Sequence, residues 1–457
     1  MKLTLKEIAA WTHGRVEAEF ADVAITGVTT DSREVKAGDL FVPLVGMRFD
    51  GHDFIRSAMQ TCAATLSERP LEEKLPAVYV DNTERAYGDI ARGYRERLGL
   101  EVVGITGSVG KTTTKEMIAS VLEEKYRTAK TEGNRNNQIG LPKTVLDIPS
   151  DCEVAVLEMG MNHFGEMAYL TSIARPNLAV ITNIGSAHIE HLGSREGILK
   201  AKLEITEGLS RNGKLLLTGD EPLLWKLRGE LPFELIYFGI DNEECDLRAK
   251  NVVSHDEGIS FHVEGLRQEF EVYLPTLGQH NVYNALAAAG VGLLEKVDPS
   301  KIQRALGNFQ NTGMRQKIYT TDNGFTIIED CYNAGPESME AALTVLGTKP
   351  CEGRRIAVLG DMLELGNCSM AEHYKVGRIV AQKADMLFAY GTHAERMAIG
   401  AITGGMPNNC VYHFESHELM ARMLRNRAKK GDLLLFKGSR GMRMEHVLSL
   451  FLNGEND

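Results

Sequence analysis

The feature that most limits the fold is an alternation of short apolar segments with amphipathic ones, which repeats from about residue 84 onward. The pairs are VVGIT with KTTTKEMIASVLEEKY, CEVAVLEMG with GEMAYLTSIA, and LAVITNIG with REGILKAKLEITEGL. Nearly continuous apolar strands separated by amphipathic helices are typical of a parallel sheet that is covered by helices on both faces. The alternation therefore predicts an α/β protein built around parallel sheets.

Changes in this pattern divide the 457-residue chain, which is too long for one hydrophobic core, into three predicted domains. Residues 1–83 are typical of a small α/β domain, in which FIRSAMQTCAATL (54–66) predicts a helix. Residues 84–313 form a central parallel-sheet domain, with an antiparallel flank predicted by LRAKNVV, ISFHVEG and QEFEVYLP. Residues 314–457 resume the alternation of strands and helices and predict a C-terminal Rossmann-like α/β domain.

The composition excludes several classes of partner. A net charge of −11 argues against a nucleic-acid surface, because such surfaces carry excess lysine and arginine. The seven cysteines are scattered without a CxxC pair, which favours a reducing cytoplasm over a disulfide framework or a zinc site. The N-terminal residues do not predict a signal peptide, and no apolar run reaches the roughly 18 residues of a membrane span. We expect a cytoplasmic monomer that binds no nucleic acid and does not insert into a membrane.

The segment GITGSVGKTTTKE (104–116) predicts a nucleotide-binding loop between a strand and a helix. Its glycines let backbone N–H groups approach phosphates, and the helix N-terminus favours negative charge. Lys111 is placed for the outer phosphates and Thr112 for Mg²⁺. The residues predicted to hold ATP here are Gly107, Ser108, Val109, Gly110, Lys111, Thr112 and Thr113. The alternative is a glycine-rich turn with a solvated lysine, because Ile105 stands where a strict P-loop has glycine.

Ligands of open α/β sheets bind beyond the carboxyl ends of the strands. Three more candidate residues lie there or on a helix that follows such a strand end. Glu158 ends the second predicted strand, His188 lies in the next strand-end loop, and Lys202 is on the helix after it. Taken alone, each has a structural alternative: a capping or solvated acid, a structural histidine and a surface lysine. Their common placement beside the predicted phosphate site favours function. No DxxG or NKxD signature follows, which disfavours a GTPase switch.

These segments, in this order, resemble the Mur ligases, the ATP-dependent amide ligases of peptidoglycan precursor synthesis. The family's loop is similar to TGSNGKTT, so that it also lacks the first glycine of a P-loop, and Val109 is the one departure. Further segments that resemble the family are GNRNNQIGLP (133–142), LEMGMNHFGE (157–166), NIGSAHIEHLGS (183–194) and GQHNVYNALAA (278–288). The resemblance covers essentially the whole chain.

Within the family, the chain resembles most the member that adds D-alanyl-D-alanine. The segment at 29–55 is similar to that member's UDP-sugar domain. EDCYNAGPESMEAAL (329–343) and VLGDMLELG (358–366), with His373, are similar to its later signatures. Gly335 stands where the first of these usually has asparagine, which puts a side-chain contact from that position in doubt.

The resemblance implies ATP and Mg²⁺ as cofactors, and UDP-N-acetylmuramoyl tripeptide and D-alanyl-D-alanine as substrates. The tripeptide carboxylate is expected to form an acyl phosphate with ATP, which the dipeptide amine then attacks. Lys111 is expected to neutralise phosphoryl charge, and Thr112 and Glu158 to hold the first Mg²⁺. His188 and Lys202 are expected to serve a second metal. Because a cationic lysine cannot ligate Mg²⁺, Lys202 is expected to be carbamylated, as in the family.

Other expected contacts are carried over from the family by position. Asn281 and Asn284 match adenine contacts, although an asparagine at a helix N-terminus is usually a cap. Arg315 and Asp330 match a phosphate- and ribose-contacting pair, which implies that the third domain closes over ATP. The residues expected to contact the substrates are Ser32, Arg33, Asn136, Asn137, Asn333, Lys437, Ser439 and Arg440. For the residues at 437–440, the alternative is a solvated loop.

Two alternative functions remain open. A folylpolyglutamate-type ligase shares the ATPase and third domains of the Mur ligases, but it has no UDP-sugar domain like the one predicted at the N-terminus. A non-catalytic nucleotide-binding switch would bind ATP without a turnover that needs two further substrates. The third residue of the tripeptide, lysine or diaminopimelate, is not determined by the sequence.

Overall fold

Three sheets with helices packed against them organise the protein. The structure is a computed structural model that describes residues 1–311 and 313–454. Within these residues it contains sheets of five, nine and six strands, besides a two-stranded ribbon. The predicted fold class, an α/β protein of three domains, is confirmed. Residue 312 of the predicted central domain and residues 455–457 of the predicted third domain lie outside the described part of the chain.

The first sheet is small and mostly parallel, in the order β2-β7-β6-β5-β4. The N-terminal strands are β1 Leu3–Thr4, β2 Arg15–Val16, β3 Ala24–Ile25, β4 Gly27–Thr29, β5 Asp39–Phe41, β6 Ala64–Ser67 and β7 Ala77–Tyr79. The helices are α1 Leu5–Thr12, α2 Ile55–Ala58 and α3 Thr83–Leu98. The helix predicted over 54–66 is wrong in its second half, because it ends at Ala58. The wholly buried segment Ala64–Ser67 is instead a strand that pairs with both β5 and β7.

Helix α3 joins the first sheet to the next one. The predicted boundary between residues 83 and 84 falls at its first turn. The helix packs on α1 and on two of the helices that cover the next sheet. Buried Tyr87, Ile90 and Tyr94 belong to a hydrophobic core that contains residues of both sheets. The Tyr94 hydroxyl also donates a hydrogen bond to the carbonyl of Ile148 (3.0 Å). The N-terminal sheet is therefore fixed against the central domain by a shared core.

The central sheet has the order β16-β15-β14-β13-β12-β11-β8-β10-β9. Its strands are β8 Glu101–Thr106, β9 Thr128–Lys130, β10 Val154–Glu158, β11 Leu178–Ile181, β12 Lys214–Thr218, β13 Glu234–Gly239, β14 Leu247–Ser254, β15 Ile259–Gly265 and β16 Gln268–Leu274. The helices are α4 Lys111–Glu123, α5 Gly140–Leu146, α6 Glu166–Ala174, α7 Ile189–Leu192, α8 Arg195–Leu203, α9 Pro222–Trp225, α10 Gln279–Leu294 and α11 Pro299–Gly307. β15 pairs antiparallel with both β14 and β16, which confirms the predicted antiparallel flank.

Strand β8 lies at a switch point of this sheet. The chain forms β9 and β10 on one side of β8 and β11 on the other side. Such a reversal opens a crevice at the carboxyl ends of the strands. The register pairs Glu158 with Ile105 and Ile181 with Thr106. Residues that follow these three strands are thereby brought to one edge of the sheet.

The third sheet has the order β17-β18-β22-β19-β20-β21 and is parallel except for β17. Its strands are β17 Lys317–Thr320, β18 Thr326–Asp330, β19 Arg355–Gly360, β20 Met386–Tyr390, β21 Val411–Phe414 and β22 Leu433–Lys437. The helices are α12 Pro336–Thr348, α13 Ser369–Lys383, α14 Ala394–Thr403, α15 His417–Arg427 and α16 Met444–Asn453. The register places Asp330 beside Lys437 at the carboxyl edge. In the described ranges, no helix has both the length and the apolar composition to cross a membrane.

Candidate active site

The phosphate loop ends at the N-terminus of α4. Gly107 and Gly110 have φ angles of 152° and 85°, a backbone region that side chains disfavour. Gly110 occupies the cap position, and no side chain caps the helix. Lys111, Thr112 and Thr113 form the first turn, whose N–H groups have no acceptor within the helix. This arrangement is suited to an anion.

The loop is held from the neighbouring strand by Asn183, to which the sequence analysis gave no role. Its Oδ1 accepts hydrogen bonds from the backbone N–H groups of Ser108 (3.1 Å) and Val109 (2.9 Å). Its Nδ2 donates to the carbonyl of Val109 (3.1 Å), and so does the Thr182 hydroxyl (2.6 Å). In the sequence, Asn183 comes two residues after an apolar strand and begins the segment 183–194 that resembles the family. These bonds fix the shape of the loop before any ligand binds.

Lys111 lies inside the site. Its Nζ donates to the carbonyl of Gly107 (2.8 Å) across the loop. Burial lowers the pKa of Lys111, and the charge of nearby Arg315 also lowers it, whereas Glu158 acts in the opposite direction. A cation desolvated in this way interacts strongly with an anionic phosphate.

Glu158 is buried at the end of β10, 2 % exposed. Its Oε1 accepts from Nδ2 of Asn136 (2.8 Å), and its backbone N–H donates to Oγ1 of Thr131 (2.9 Å). The other carboxylate oxygen, Oε2, is buried and has no hydrogen-bond partner among the described residues. A buried carboxylate oxygen without a partner fits a divalent cation that prefers oxygen ligands.

The two predicted asparagines before α5 have different surroundings. Asn136 contacts Glu158, and its carbonyl accepts from the N–H of Gly160 (2.8 Å). Asn137 accepts with Oδ1 from Ile139 (3.2 Å) and Gly140 (2.8 Å), at the start of α5. Asn136 therefore belongs to the Glu158 side of the site, whereas the side chain of Asn137 orders its own loop.

His188 and Lys202 follow β11, the strand on the opposite side of β8 from β10. Nδ1 of His188 is 2.6 Å from Oε2 of Glu364 in the third domain, but its alignment is not that of a hydrogen bond. The close approach of the His188 ring nitrogen to the carboxylate is the main influence that lowers the pKa of Glu364; burial opposes it, and the charge of His188 adds to the lowering. Lys202 is 2 % exposed, and no acidic side chain pairs with it in the described part of the chain. Burial lowers its pKa well below the ordinary value, and the charge of Lys111 adds to this effect.

A pocket of about 210 Å³ opens beside the phosphate loop. Its lining residues are Val109, Gly110, Thr182, Asn183, Thr218, Asp220, Glu221, Phe238, His280, Tyr283 and Asn284. Of the two asparagines predicted for adenine, Asn284 lines the pocket, and its Nδ2 donates to Oδ1 of Asn281 (3.0 Å) behind it. Burial lowers the pKa of His280, which also lines the pocket, to about 4. His280 and Tyr283 were not predicted as site residues from the sequence.

Two predicted residues of the third domain form an ion pair. Nζ of Lys437 donates to Oδ2 of Asp330 (2.5 Å) and to the carbonyl of Asn333 (3.0 Å), and Lys437 is buried. Asp330 is close enough to His280 to oppose the lowering of its pKa. The pair therefore lies at the boundary with the pocket of the central domain, and the side chain of Asn333 is left at the surface.

The remaining third-domain predictions fall into buried and exposed positions. The Ser439 hydroxyl is buried, donates to the carbonyl of Ala334 (3.1 Å) and accepts from the N–H of Leu363 (2.9 Å). Arg440 is exposed and bonded to Glu445 (2.7 Å). The Arg315 guanidinium lies 4.1 Å from the ring centre of Tyr332.

The N-terminal predictions lie on the loop after β4. Arg33 is bonded to Asp31 through Nε (2.9 Å) and Nη2 (2.6 Å), and most of its side chain is exposed. Its hydrogen bonds lower the pKa of Asp31 to about 2. Ser32 is half-buried beside them. The structure does not link Ser32 or Arg33 by a hydrogen bond to any predicted site residue in the described ranges.

The structure shows the surroundings of the two residues that depart from the family motifs, Val109 and Gly335. Val109 contributes backbone groups to Asn183, and its side chain lines the pocket. Gly335 has an extended φ of −147°, and a Cβ atom there would meet nothing within 4 Å. The family's asparagine would therefore fit at position 335, and the backbone does not require glycine there.

The third domain also contacts the loop that follows β11. The Glu337 carboxylate accepts from the N–H (2.8 Å) and the hydroxyl (3.1 Å) of Ser186. A Cβ atom added to Gly366 would lie 3.1 Å from Glu190. The same loop thus meets the phosphate loop through Asn183 and the third domain through Ser186 and His188. Glu337 and Glu364 were not predicted, because no sequence pattern identifies a contact between domains.

Comparisons with known proteins cover all three parts of the chain. Family models match it as "Mur ligase family, catalytic domain" (24–95), "Mur ligase middle domain" (105–292) and "Mur ligase, glutamate ligase domain" (314–440). A UDP-N-acetylmuramoyl-tripeptide--D-alanyl-D-alanine ligase of Bacillus subtilis is 41% identical, with 98% of each chain covered.

Two solved structures share this architecture. A crystal structure of MurF from Acinetobacter baumannii superposes with a TM-score of 0.91 at 30% identity and covers 99% of each chain. MurF ligase from Thermotoga maritima in complex with ADP gives 0.82 at 32% identity, covering 93% of this chain and 96% of that one. The resemblance predicted from the motifs is confirmed, and the chain belongs to the Mur ligase family.

Proposed function

We propose that this protein is an ATP-dependent amide ligase that joins D-alanyl-D-alanine to UDP-N-acetylmuramoyl tripeptide. The products are the UDP-N-acetylmuramoyl pentapeptide, ADP and phosphate, within peptidoglycan precursor synthesis. One observation carries the proposal: the phosphate loop, the Glu158 oxygen that has no partner among the described residues, and the buried Lys202 lie at one sheet edge, which the third domain contacts. The relatives with this activity in their names support the same conclusion.

The chemistry explains why such a reaction needs ATP. A carboxylate is a poor electrophile, because its leaving group would be oxide. An oxygen of the tripeptide carboxylate therefore attacks the γ-phosphorus, the bond to the bridging oxygen breaks, and ADP leaves. The dipeptide nitrogen then attacks the acyl carbon and loses its proton, and the bond to phosphate breaks. Lys111 neutralises charge on the transferred phosphoryl group, and the N–H groups at the start of α4 orient it.

A divalent cation fits beside Glu158 and Thr112. Oε2 of Glu158 is without a partner in the described part of the chain, while Asn136 holds the other oxygen in place. The Thr112 hydroxyl, in the first turn of α4, is a second oxygen donor. When bound, Mg²⁺ supplies positive charge to the phosphate oxygens. The chain's own residues orient the carboxylate and the phosphates and exclude water.

Lys202 is proposed to carry a carbamate. A buried lysine without an acidic partner is stabilised as the neutral amine. The neutral amine has the lone pair that attacks CO₂, and the resulting carbamate provides the oxygen donors that an ammonium group lacks. With the imidazole of His188, these oxygens would form a second cation site near the acyl phosphate.

The pocket beside the phosphate loop is proposed to hold adenine. Asn284 presents its amide there, and Asn281 supports it from behind. Arg315 and Asp330 are proposed to contact phosphate and ribose from the third domain. Asp330 is held by the buried Lys437, which we therefore propose as the residue that orients it.

The two other substrates are proposed to bind on opposite sides of this centre. Ser32 and Arg33 would hold the UDP-sugar on the first domain (1–83), and Asn136 and Asn137 would form the edge of the central domain (84–313) that the tripeptide reaches. In the third domain (314–457), the exposed side chains of Asn333 and Arg440 are available to the dipeptide. The buried Ser439 is proposed to order their loop.

We also propose that the enzyme is a cytoplasmic monomer. The UDP-linked substrate, ATP and the dipeptide are small soluble molecules. The net charge of −11 offers no attraction to nucleic acid.

The deciding assay measures phosphate release from ATP with Mg²⁺ and UDP-N-acetylmuramoyl tripeptide, with and without D-alanyl-D-alanine. We expect sustained phosphate release only when both substrates are present. A parallel assay compares the rates of release with tripeptides that end in lysine and in diaminopimelate. Release that does not depend on the dipeptide would exclude the ligase. Turnover with a folate and glutamate instead would support the folylpolyglutamate alternative, and ATP binding without turnover would support a switch.

A further inference from the structure

A loop of the third domain after β19 carries an acidic residue to the central domain. The loop (361–366) is anchored by two buried side chains, His373 and Ser439. The N–H of Met362 donates to Nε2 of His373 (2.9 Å), and the N–H of Leu363 donates to Oγ of Ser439 (2.9 Å). These bonds fix the backbone next to Glu364. The position of Glu364 is therefore a property of the folded third domain.

Glu364 itself has an unusual backbone. Its φ is 63°, in the left-handed region that residues other than glycine rarely adopt. Such conformations persist where the surrounding structure enforces them, and they are concentrated at functional sites. The conformation directs the Glu364 carboxylate across the domain boundary, where Oε2 lies 2.6 Å from Nδ1 of His188.

The carboxylate is accessible, and no lysine or arginine pairs with it in the described part of the chain. The Glu364 side chain is 49% exposed, and its single ion-pair contact within 4 Å in the described ranges is His188. Two other carboxylates at the domain boundary are held by hydrogen bonds. Glu337 accepts from Ser186, and Asp330 accepts from Lys437. Glu364, by contrast, is half exposed and open to a ligand at the border of the reaction centre.

We propose that Glu364 binds the ammonium group of the incoming dipeptide and, once that group has lost a proton to solvent, holds the neutral nitrogen beside the acyl phosphate. The inference rests on the proposed ligase function and extends it to the second substrate. An α-amino group with a pKa of about 8 arrives mostly protonated at neutral pH, so its recognition needs an acceptor with negative charge. His188, proposed to hold a cation near the acyl phosphate, lies beside that acceptor. Glu364 therefore brings the amino group of the dipeptide close to the acyl phosphate.

The variant Glu364→Gln tests this assignment, because it keeps the shape and removes the charge. We expect the KM for D-alanyl-D-alanine to rise about 10- to 100-fold, as for loss of a hydrogen bond to a charged group. The KM values for ATP and for the tripeptide should stay within about twofold. An unchanged KM for the dipeptide would refute the proposal.

A second measurement separates amine binding from activation. Hydroxylamine, used at mildly alkaline pH where it is uncharged, traps an acyl phosphate as a hydroxamate. Glu364→Gln should form hydroxamate at the wild-type rate, which also shows that the variant is folded and makes the intermediate. If hydroxamate formation falls together with dipeptide ligation, Glu364 acts in activation, and the proposal is wrong.

Two controls address the interdomain contact and the ligand. Glu337→Gln removes a different contact to the same loop, and it should change the KM values for ATP and dipeptide in parallel. Propionyl-D-alanine, a dipeptide analogue without the amino group, should inhibit the wild type and Glu364→Gln equally. A weaker inhibition of the variant, matching its higher dipeptide KM, would contradict a contact to the ammonium group. A wild type without dipeptide-dependent turnover would instead refute the proposed function.

Discussion

The candidate site has two parts that are built in different ways. The phosphate side comprises the phosphate loop, Glu158 and Lys202, and the amine side comprises Glu364 and His188. On the phosphate side, the central domain supplies most of the groups, and other side chains hold several of them, as where Asn183 holds the loop and Asn136 holds Glu158. On the amine side, two domains supply groups that are partly exposed, such as Glu364 against His188. The phosphate side therefore lies mainly within the central domain, with Arg315 and Asp330 proposed to reach it from the third domain, whereas the amine side exists only where the domains meet.

This difference agrees with the order of the proposed chemistry. Phosphoryl transfer depends on charges and N–H groups that are fixed before the reaction, which a rigid and buried loop provides. The acyl phosphate that follows must be protected from water until the amine arrives. The amine side forms only where the third domain contacts the central one. The domain that completes the binding site for the amine therefore also shields the acyl phosphate from water.

The largest effect is expected from Lys202→Ala, which removes the proposed carbamate from the phosphate side. We expect kcat to fall about 10³-fold, the size of losing one positioned electrostatic group. Acetate or propionate should restore part of the activity, because either one can supply carboxylate oxygens in the space left by the side chain. Steady-state rates with and without these acids provide the measurement.

The matched control for this variant is Lys200→Ala. Lys200 is an exposed residue of the same helix, so that its removal should leave kcat within about twofold. Full activity of Lys202→Ala without any added carboxylate would contradict the carbamate.

A smaller effect is expected from Asn183→Ala, which loosens the phosphate loop. The variant loses bonds to the N–H groups of Ser108 and Val109, each worth about 1 kcal/mol. The KM for ATP should therefore rise about 10- to 30-fold, while the KM for the dipeptide changes little. Asn177→Ala is the control, because Asn177 accepts from the N–H of Val102 at the opposite end of β8 (3.0 Å). Equal KM values for ATP in both variants would show that the loop does not need Asn183.

The sequence predicts the candidate residues that follow apolar strands. Lys111, Glu158 and His188 were predicted together because the carboxyl ends of parallel strands meet at one edge. Strand β9, by contrast, has three half-buried residues and no apolar run, so periodicity does not predict it. The strand Ala64–Ser67 was taken for helix because a short apolar run suits both structures until pairing decides.

Partners of the predicted residues were beyond sequence reasoning. That Asn183 bonds to the phosphate loop depends on the sheet order, in which β11 lies beside β8. That Glu364 meets His188 depends on how the third domain packs on the central one. Lys437 and Ser439 were expected to face a substrate, but the structure buries both of them beneath their loop. Whether a polar residue is buried depends on tertiary packing, which cannot be predicted from a local sequence pattern.

The amine side can be weakened directly with Glu337→Gln. The charge on the acceptor of the two Ser186 hydrogen bonds is lost, although the contact is exposed and therefore weak. We expect about threefold higher KM values for both ATP and dipeptide, since one loop serves both sides. Glu340→Gln, an exposed residue of the same helix, is the control and should behave as the wild type. A larger change for the dipeptide alone would assign Glu337 to the amine side only.

At neutral pH the smallest effect concerns His280, which lies where the nucleotide pocket meets the third-domain pair of Asp330 and Lys437. Burial lowers the pKa of His280 from 6.5 to about 4, so the folded protein keeps it neutral while the unfolded chain takes up a proton below 6.5. Stability is therefore unaffected at neutral pH and falls as the pH drops from about 6.5 to about 4, by up to about 2 kcal/mol at pH 5. His280→Asn should lack this acid sensitivity in urea unfolding followed at several pH values. If wild type and variant lose stability in parallel, His280 titrates as an exposed histidine does, and the boundary between pocket and third domain is open to water even on the phosphate side.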